Sequence, residues 1–168
     1  MIRTLEMKDL PFMYEWMHDK NITTYLQADF EHFTEERVAS FIQSAMEQTY
    51  EGENLHYAIV DENDQYMGTV SLKNINRKDK NAEYAIVTRS IAHGRGYAKT
   101  ATRDILAVAF GELKLQKVYL YVSVKNVCAN KFYHKCGFVE EGIFRKHLLI
   151  DEILEDIRWF SMLREEFK

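Results

Sequence analysis

A mixed α/β sheet flanked by helices is the fold class that this chain of 168 residues predicts. Three observations carry it. Hydrophobic spacing switches repeatedly between period two and period 3.6, in the order β-α-α-β-β-β-α-β-α-β-β. Short polar links join strands at 55–60, 66–73 and 81–88, so these three run antiparallel. The strand at 81–88 is followed by a helix and then by a strand at 117–124, and a right-handed crossover of this kind makes those two strands parallel.

Each element has its own signal. Residues 2–5 form a first strand. Asp9 stands at an N-cap position, Pro11 in the first turn, and Phe12–Met17 in a short helix that 18–21 ends. Thr34 caps the next helix, where Val38, Phe41, Ile42 and Ala45 fall on one face as far as about Gln48. The connection at 22–33 carries Tyr25, Phe30 and Phe33, aromatics that pin a loop to a core or line a pocket. After the strand at 81–88, Ala101, Ile105 and Val108 mark the buried face of a helix that Gly111 is placed to end. In 117–124 Val118, Leu120, Val122 and Val124 alternate with Tyr119, Tyr121 and Ser123. A short helix at about 129–135 stops at Gly137, and 138–147 with 153–163 make a last hairpin. The chain reads as a single domain, 1–168, without repeats or linkers.

Composition narrows the function classes. Hydrophobic residues are 46% and charged residues 29%, as in soluble globular proteins. The net charge of −4 and pI near 5.9 argue against nucleic acid as a partner. The longest apolar run, Ile105–Phe110, is far short of the ~20 residues of a membrane span. Charges begin at Arg3 with no apolar h-region, and Cys128 and Cys136 lack metal or disulfide spacing, so a cytoplasmic chain with reduced thiols is expected. The six histidines show no ligand spacing, and no metal is expected. No P-loop, G-x-S-x-G or H-E-x-x-H motif occurs.

The most informative stretch is His93-Gly94-Arg95-Gly96-Tyr97-Ala98, between a strand and a helix. Two glycines at such a seam let a ligand approach the backbone and leave the first helical N–H groups open. Those amides and the helix dipole suit a phosphate. Arg95 and Lys99 add charge. Downstream stands Asn126-Val-Cys-Ala129-Asn130-Lys-Phe132-Tyr133, then Cys136-Gly137-Phe138.

Together these stretches resemble the GNAT family of acyl-CoA-dependent N-acetyltransferases, over nearly the whole chain in element order. The family's R/Q-x-x-G-x-G/A motif corresponds to 93–98, with His93 at the usual Arg/Gln position. Its N-x-x-A-x-x-F/L-Y signature corresponds to 126–133. The Ala82-Glu83-Tyr84 start of the strand is similar to the branch of ribosomal-protein and polyamine acetyltransferases.

The resemblance implies a central sheet of about seven strands, splayed between 81–88 and 117–124 with help from a β-bulge. Acetyl-CoA would lie in the gap. Its arm would meet backbone groups near Ile86, Val87 and Thr88, its pyrophosphate the amides of Gly94 to Lys99, and Asn126 and Asn130 would reach the arm. Asn126 also suits a plain N-cap. Glu83 is implied as general base, with a water chain as the alternative, and Tyr133 as the acid facing the sulfur; a solvated strand glutamate and a packing tyrosine are the simpler readings of these two. Acceptor contacts would come from Trp16, Tyr25, Phe30 and Phe144. The expected acceptor is a small-molecule primary amine, polyamine or aminosugar, taken in a ternary complex by a monomer or homodimer. The alternatives are a protein N-terminal acetyltransferase and a non-catalytic acyl-CoA-binding module.

Overall fold

The computed structural model describes residues 1–26, 28 and 30–168; Gln27 and Asp29, in the connection at 22–33, lie outside them. Seven strands form one mixed sheet: β1 (Ile2–Thr4), β2 (Leu55–Val60), β3 (Tyr66–Asn76), β4 (Asn81–Thr88), β5 (Lys117–Ser123), β6 (Val139–Ile150) and β7 (Ile153–Leu163). Their spatial order is β1-β2-β3-β4-β5-β7-β6, and only β4 and β5 pair in parallel. The helices are α1 (Leu10–Met17), α2 (Lys20–Thr23), α3 (Glu35–Met46), α4 (Tyr97–Ala107) and α5 (Val127–Lys135).

Strand alternation divides the core between the two faces. On one face Val70, Leu72, Tyr84, Val118, Leu120 and Phe160 pack with Ala101 and Ile105 of α4 and Tyr133 of α5. On the other, Ala58, Val60 and Tyr66 pack with Met13 and Trp16 of α1 and Val38 and Ile42 of α3. The buried Trp16 Nε1–H donates to the Tyr66 hydroxyl at 3.1 Å, so neither polar tip is left unpaired. Arg89, just past β4, donates to both carboxylate oxygens of Glu15 at 3.2 and 3.0 Å and lies over the Phe12 ring, tying α1 to the end of the strand.

Several expected boundaries move, for local reasons. The Asp9 carboxylate does not cap α1; Arg3 takes it at 2.9 and 2.8 Å and the Glu6 N–H donates to it. α1 does end at Met17, as 18–21 implied, and Asp19 then accepts from the Asn21 N–H and starts a separate short helix, α2. Gly111 does not end the crossover helix. The chain continues through a π turn, Val108–Glu112, with the Leu113 N–H bonding the Val108 carbonyl, and leaves at Lys114 with φ 54°. A strand-to-helix cap at Asn126, whose Oδ1 accepts from the Ala129 N–H, starts α5 at Val127. Phe30 packs edge-on to Trp16 at 5.2 Å, so this aromatic does pin its loop to the core.

His56, on β2, supplies a test of the packing. Its Nδ1 lies 2.7 Å from Ser71 Oγ, its ring packs on Phe41, and burial with help from nearby Lys73 lowers its pKa to about 4. The folded state therefore binds fewer protons than the unfolded state between pH 6.5 and 4. Stability contributed by neutral His56 is full above pH 6.5 and is lost as pH falls towards 4, by up to about 3 kcal/mol. Thermal unfolding at pH 7 and pH 5 should show a large drop for the native chain and a smaller one for His56→Gln.

Candidate active site

The parallel pair is incomplete, and this makes the site. β4 and β5 are in register only at Asn81–Lys117, Ala82–Val118 and Glu83–Tyr119. Beyond Glu83 the two strands part, although β4 stays paired with β3 as far as Thr88. The irregularity in the β3–β4 ladder lies on β3, between Lys73 and Asn76, where Asn74 has φ 51°. The Arg89 N–H bonds the Met67 carbonyl, so by alternation Val87 and Ala85 turn their main-chain groups to β3. Thr88, Ile86 and Tyr84 turn theirs into the gap. Of the three residues expected at the cofactor arm, Ile86 and Thr88 thus present backbone there, and Val87 does not.

One face of the fork carries a phosphate-type seat. Gly94 and Gly96 have φ 74° and 86°, in the region that glycine tolerates, and a Cβ on either would meet nothing within 4 Å. Gly96 caps α4 without any side-chain cap bond, and the Gly96 carbonyl accepts from the Thr100 N–H to open the helical ladder. The amides of Tyr97, Ala98 and Lys99 are therefore first-turn donors with no capping side chain. An open, uncapped helix start behind two glycines fits the diphosphate of a coenzyme A. Arg95 and Lys99 are exposed beside it, and the Arg95 guanidinium lies 5.2 Å from the Tyr97 ring centroid. His93 is exposed, and its N–H bonds the Ser90 carbonyl.

On that same face Tyr133 projects from α5 against Tyr84, Phe138 and Phe160. It is 9% exposed, and its hydroxyl hydrogen-bonds no other described residue. Burial pushes its phenol pKa well above the usual range. Tyr84, by contrast, is committed: its hydroxyl lies 2.7 Å from Thr102 Oγ1. Asn126 and Asn130 shape the turn that leads out of β5. Asn130 Nδ2 donates to the carbonyls of Ser123 and Asn126 at 2.9 and 2.7 Å, and its Oδ1 accepts from Arg158. Asn130 is fully engaged within the protein, a framing role that its place in the motif does not reveal.

Glu83 sits on the opposite face, at the point where the strands part. It is 8% exposed and both its oxygens are held: Lys73 Nζ is 2.7 Å from Oε1, and Asn74 Nδ2 donates to Oε2 at 2.9 Å. Neither partner shows in the sequence: Asn74 falls in the polar link after the expected strand 66–73, and Lys73 reads only as that strand's last residue; the antiparallel register, which sets Lys73 across from Glu83, is the signal that points to them. Tyr119, the β5 partner of Glu83, has its phenol pushed up by burial and, to a lesser degree, by the carboxylate. The remaining expected acceptor contacts divide. Trp16 is buried and Phe30 packs behind it, whereas Tyr25 and Phe144 are 37% and 45% exposed. A cavity of about 460 Å³ lined by Tyr14, His18, Glu31 and Phe33 shares no residue with the fork. Among the described residues no group of three His, Cys, Asp or Glu side chains gathers to hold a metal, and no helix is long and apolar enough to cross a membrane.

A forked mixed sheet with an anion seat at the start of its crossover helix is the architecture of acyl-CoA-dependent N-acetyltransferases, and the chain is an enzyme of this class. The family profile of the acetyltransferase (GNAT) domain matches residues 1–139, and the chain belongs to that family. It is 29% identical to a spermidine N(1)-acetyltransferase of Vibrio cholerae over 99% of this chain and 94% of the relative. It is 26% identical to the spermidine N(1)-acetyltransferase of Escherichia coli, over 84% of this chain and 73% of the relative. The crystal structure of the Vibrio cholerae spermidine N-acetyltransferase in complex with CoA and spermine superposes with a TM-score of 0.88 at 26% identity, covering 99% of this chain and 96% of that one.

Proposed function

We propose that the chain, acting as one catalytic domain, transfers the acetyl group of acetyl-CoA to a primary amine of a small polyamine by direct attack in a ternary complex. The observation that carries this reading is the placement of Glu83 at the fork, on the face opposite the glycine turn and Tyr133. Coenzyme and acceptor then approach the gap from opposite sides. The polyamine acceptor is supported by the two spermidine acetyltransferases similar to this chain over most of their length.

Acetyl-CoA supplies the thioester. The residues of this chain bind it, orient it and move protons. The amides from Gly94 to Lys99 hold the diphosphate, and main-chain groups of Ile86 and Thr88 line the arm, with an N–H turned to the thioester oxygen as charge develops there. A substrate ammonium has a pKa near ~10 and must lose its proton before attack. Glu83 receives it; Lys73 already marks the spot beside this carboxylate where a cation is favourable, and the acceptor ammonium displaces it. Tyr133 donates its proton to the departing thiolate. Release of free CoA across a panel of spermidine, spermine, an aminosugar and a peptide with a free N-terminus tests the reading. Turnover of the polyamines, with kcat reduced about a hundredfold in Glu83→Gln, is the expected result. Turnover of the peptide alone would assign protein N-terminal acetylation instead, and CoA binding without release under any condition would make the chain a non-catalytic module.

A further inference from the structure

We infer that the stacked rings of Tyr119, Tyr121 and Trp159, ending on Phe144, form a π wall that receives the ammonium groups of the acceptor and sets a preference for an elongated polycation. The inference rests on the acetyl transfer proposed above and adds residues that take part in choosing the acceptor. The rings share one face. Glu83 pairs with Tyr119 across β4 and β5, Tyr119 with Ser161, and Tyr121 with Trp159 across β5 and β7. The side chains of Tyr119, Tyr121 and Trp159 therefore stand on the Glu83 side of the sheet, away from α4 and α5.

The geometry is a parallel stack. Trp159 lies 5.0 Å from Tyr119 with planes 13° apart, 5.5 Å from Tyr121 at 17°, and 5.4 Å from Phe144 at 19°. Trp159 is thus shared between the tyrosines of β5 and the phenylalanine of β6. Among the described residues, α1 packs over β3 and α3 over β2, to one side of this half of the face. The rings are half-buried, and Phe144 is exposed.

Charge decides the occupant. Ring faces carry negative potential and attract a cation within about 6 Å of the centroid. The wall begins beside the Glu83 carboxylate, which acts in the same sense. The lysines at its Glu83 end are already paired, Lys73 with Glu83 and Lys117 with Glu141, and Arg158 with Glu140 lies on the opposite face. An anionic ligand therefore meets only repulsion from rings and carboxylate, whereas an ammonium gains from both. Successive strands are about 4.8 Å apart, so the rings carry this preference across β5, β7 and β6. A single ammonium uses only its Glu83 end; a chain with several uses its length.

The chain has two tryptophans, so Trp16→Phe leaves Trp159 as the only indole, excited apart from the tyrosines at the red edge of absorption. With CoA present, spermidine should change Trp159 emission saturably, and 1,8-octanediol, an uncharged chain of similar length, should not. In the otherwise native chain, Trp159→Leu should raise KM for spermidine about fivefold to tenfold, with kcat and KM for acetyl-CoA within about twofold, while Trp159→Tyr should restore KM. Native KM in Trp159→Leu, or emission that ignores spermidine, overturns the inference. Emission that instead follows protein concentration would assign the face to a second copy and also overturn it. If spermidine is acetylated and Trp159→Leu is silent, the wall fails while the transfer stands. If no amine is acetylated but Trp159 still reports spermidine with the expected selectivity, the wall stands and the transfer fails.

Discussion

Tyr133→Phe is expected to lower kcat with acetyl-CoA and spermidine at least tenfold, while melting temperature and the stabilisation given by acetyl-CoA stay near native. The asymmetry follows from the surroundings of the phenol. Its ring is packed by Tyr84, Phe138 and Phe160, and all of those contacts survive the change. Its hydroxyl has no hydrogen-bond partner among the described residues, so removing it leaves no orphaned group. What is lost is a proton donor, which typically contributes about 10²-fold or more to such a step. Because burial holds the phenol pKa high, the donor stays protonated through neutral and mildly alkaline pH, and it should impose no alkaline limb there. Native turnover in the variant, measured by CoA release, would remove Tyr133 as the acid.

The second large effect concerns the fork rather than the chemistry. Gly68 of β3 faces Thr88, a pair in which the strands approach without bonding each other. A Cβ at Gly68 would lie 2.3 Å from the Val87 carbonyl oxygen and 2.8 Å from Thr88 Cα, both backbone atoms that cannot turn aside. Gly68→Val should therefore cost about 3 kcal/mol or more and displace the end of β4 that lines the gap. A fall in melting temperature and loss of the acetyl-CoA response are the measurements. Gly111→Ala, where an added Cβ meets nothing within 4 Å, is the control and should leave melting nearly unchanged. A Gly68→Val variant that melts like the native chain would show that the end of β4 shifts freely, against the close Gly68–Thr88 approach.

The outline of the fold was legible because periodicity is a local property. Val118, Leu120 and Val122 alternate, Val38, Ile42 and Ala45 recur at helical spacing, and all six are buried as their spacing implies. Termini were less legible because caps compete. Asp9 was available to a helix, but Arg3 is a better partner for a carboxylate than a peptide N–H. Gly111 has the composition of a stop and is instead absorbed in a π turn. At the site, the glycine turn and the 126–133 stretch declared themselves through contiguous residue types. Lys73 against Glu83, and Trp159 between β5 and its hairpin partner β6, are products of register, which no single stretch of sequence displays. The same holds for Val87, which shares a run with Ile86 and Thr88 but turns its backbone the other way.

The fork also bears on solubility. An ordinary sheet has two borders; this one has β1 and β6 outside and two further half-borders within, at 84–88 and 120–123. Unpaired strand edges recruit other chains and seed aggregates. A wedge closed at Glu83 and Tyr119 escapes that hazard by shape. A foreign strand laid along either inner border would collide with the opposite one, so main-chain groups can stay open for a narrow ligand without becoming a template for a second protein.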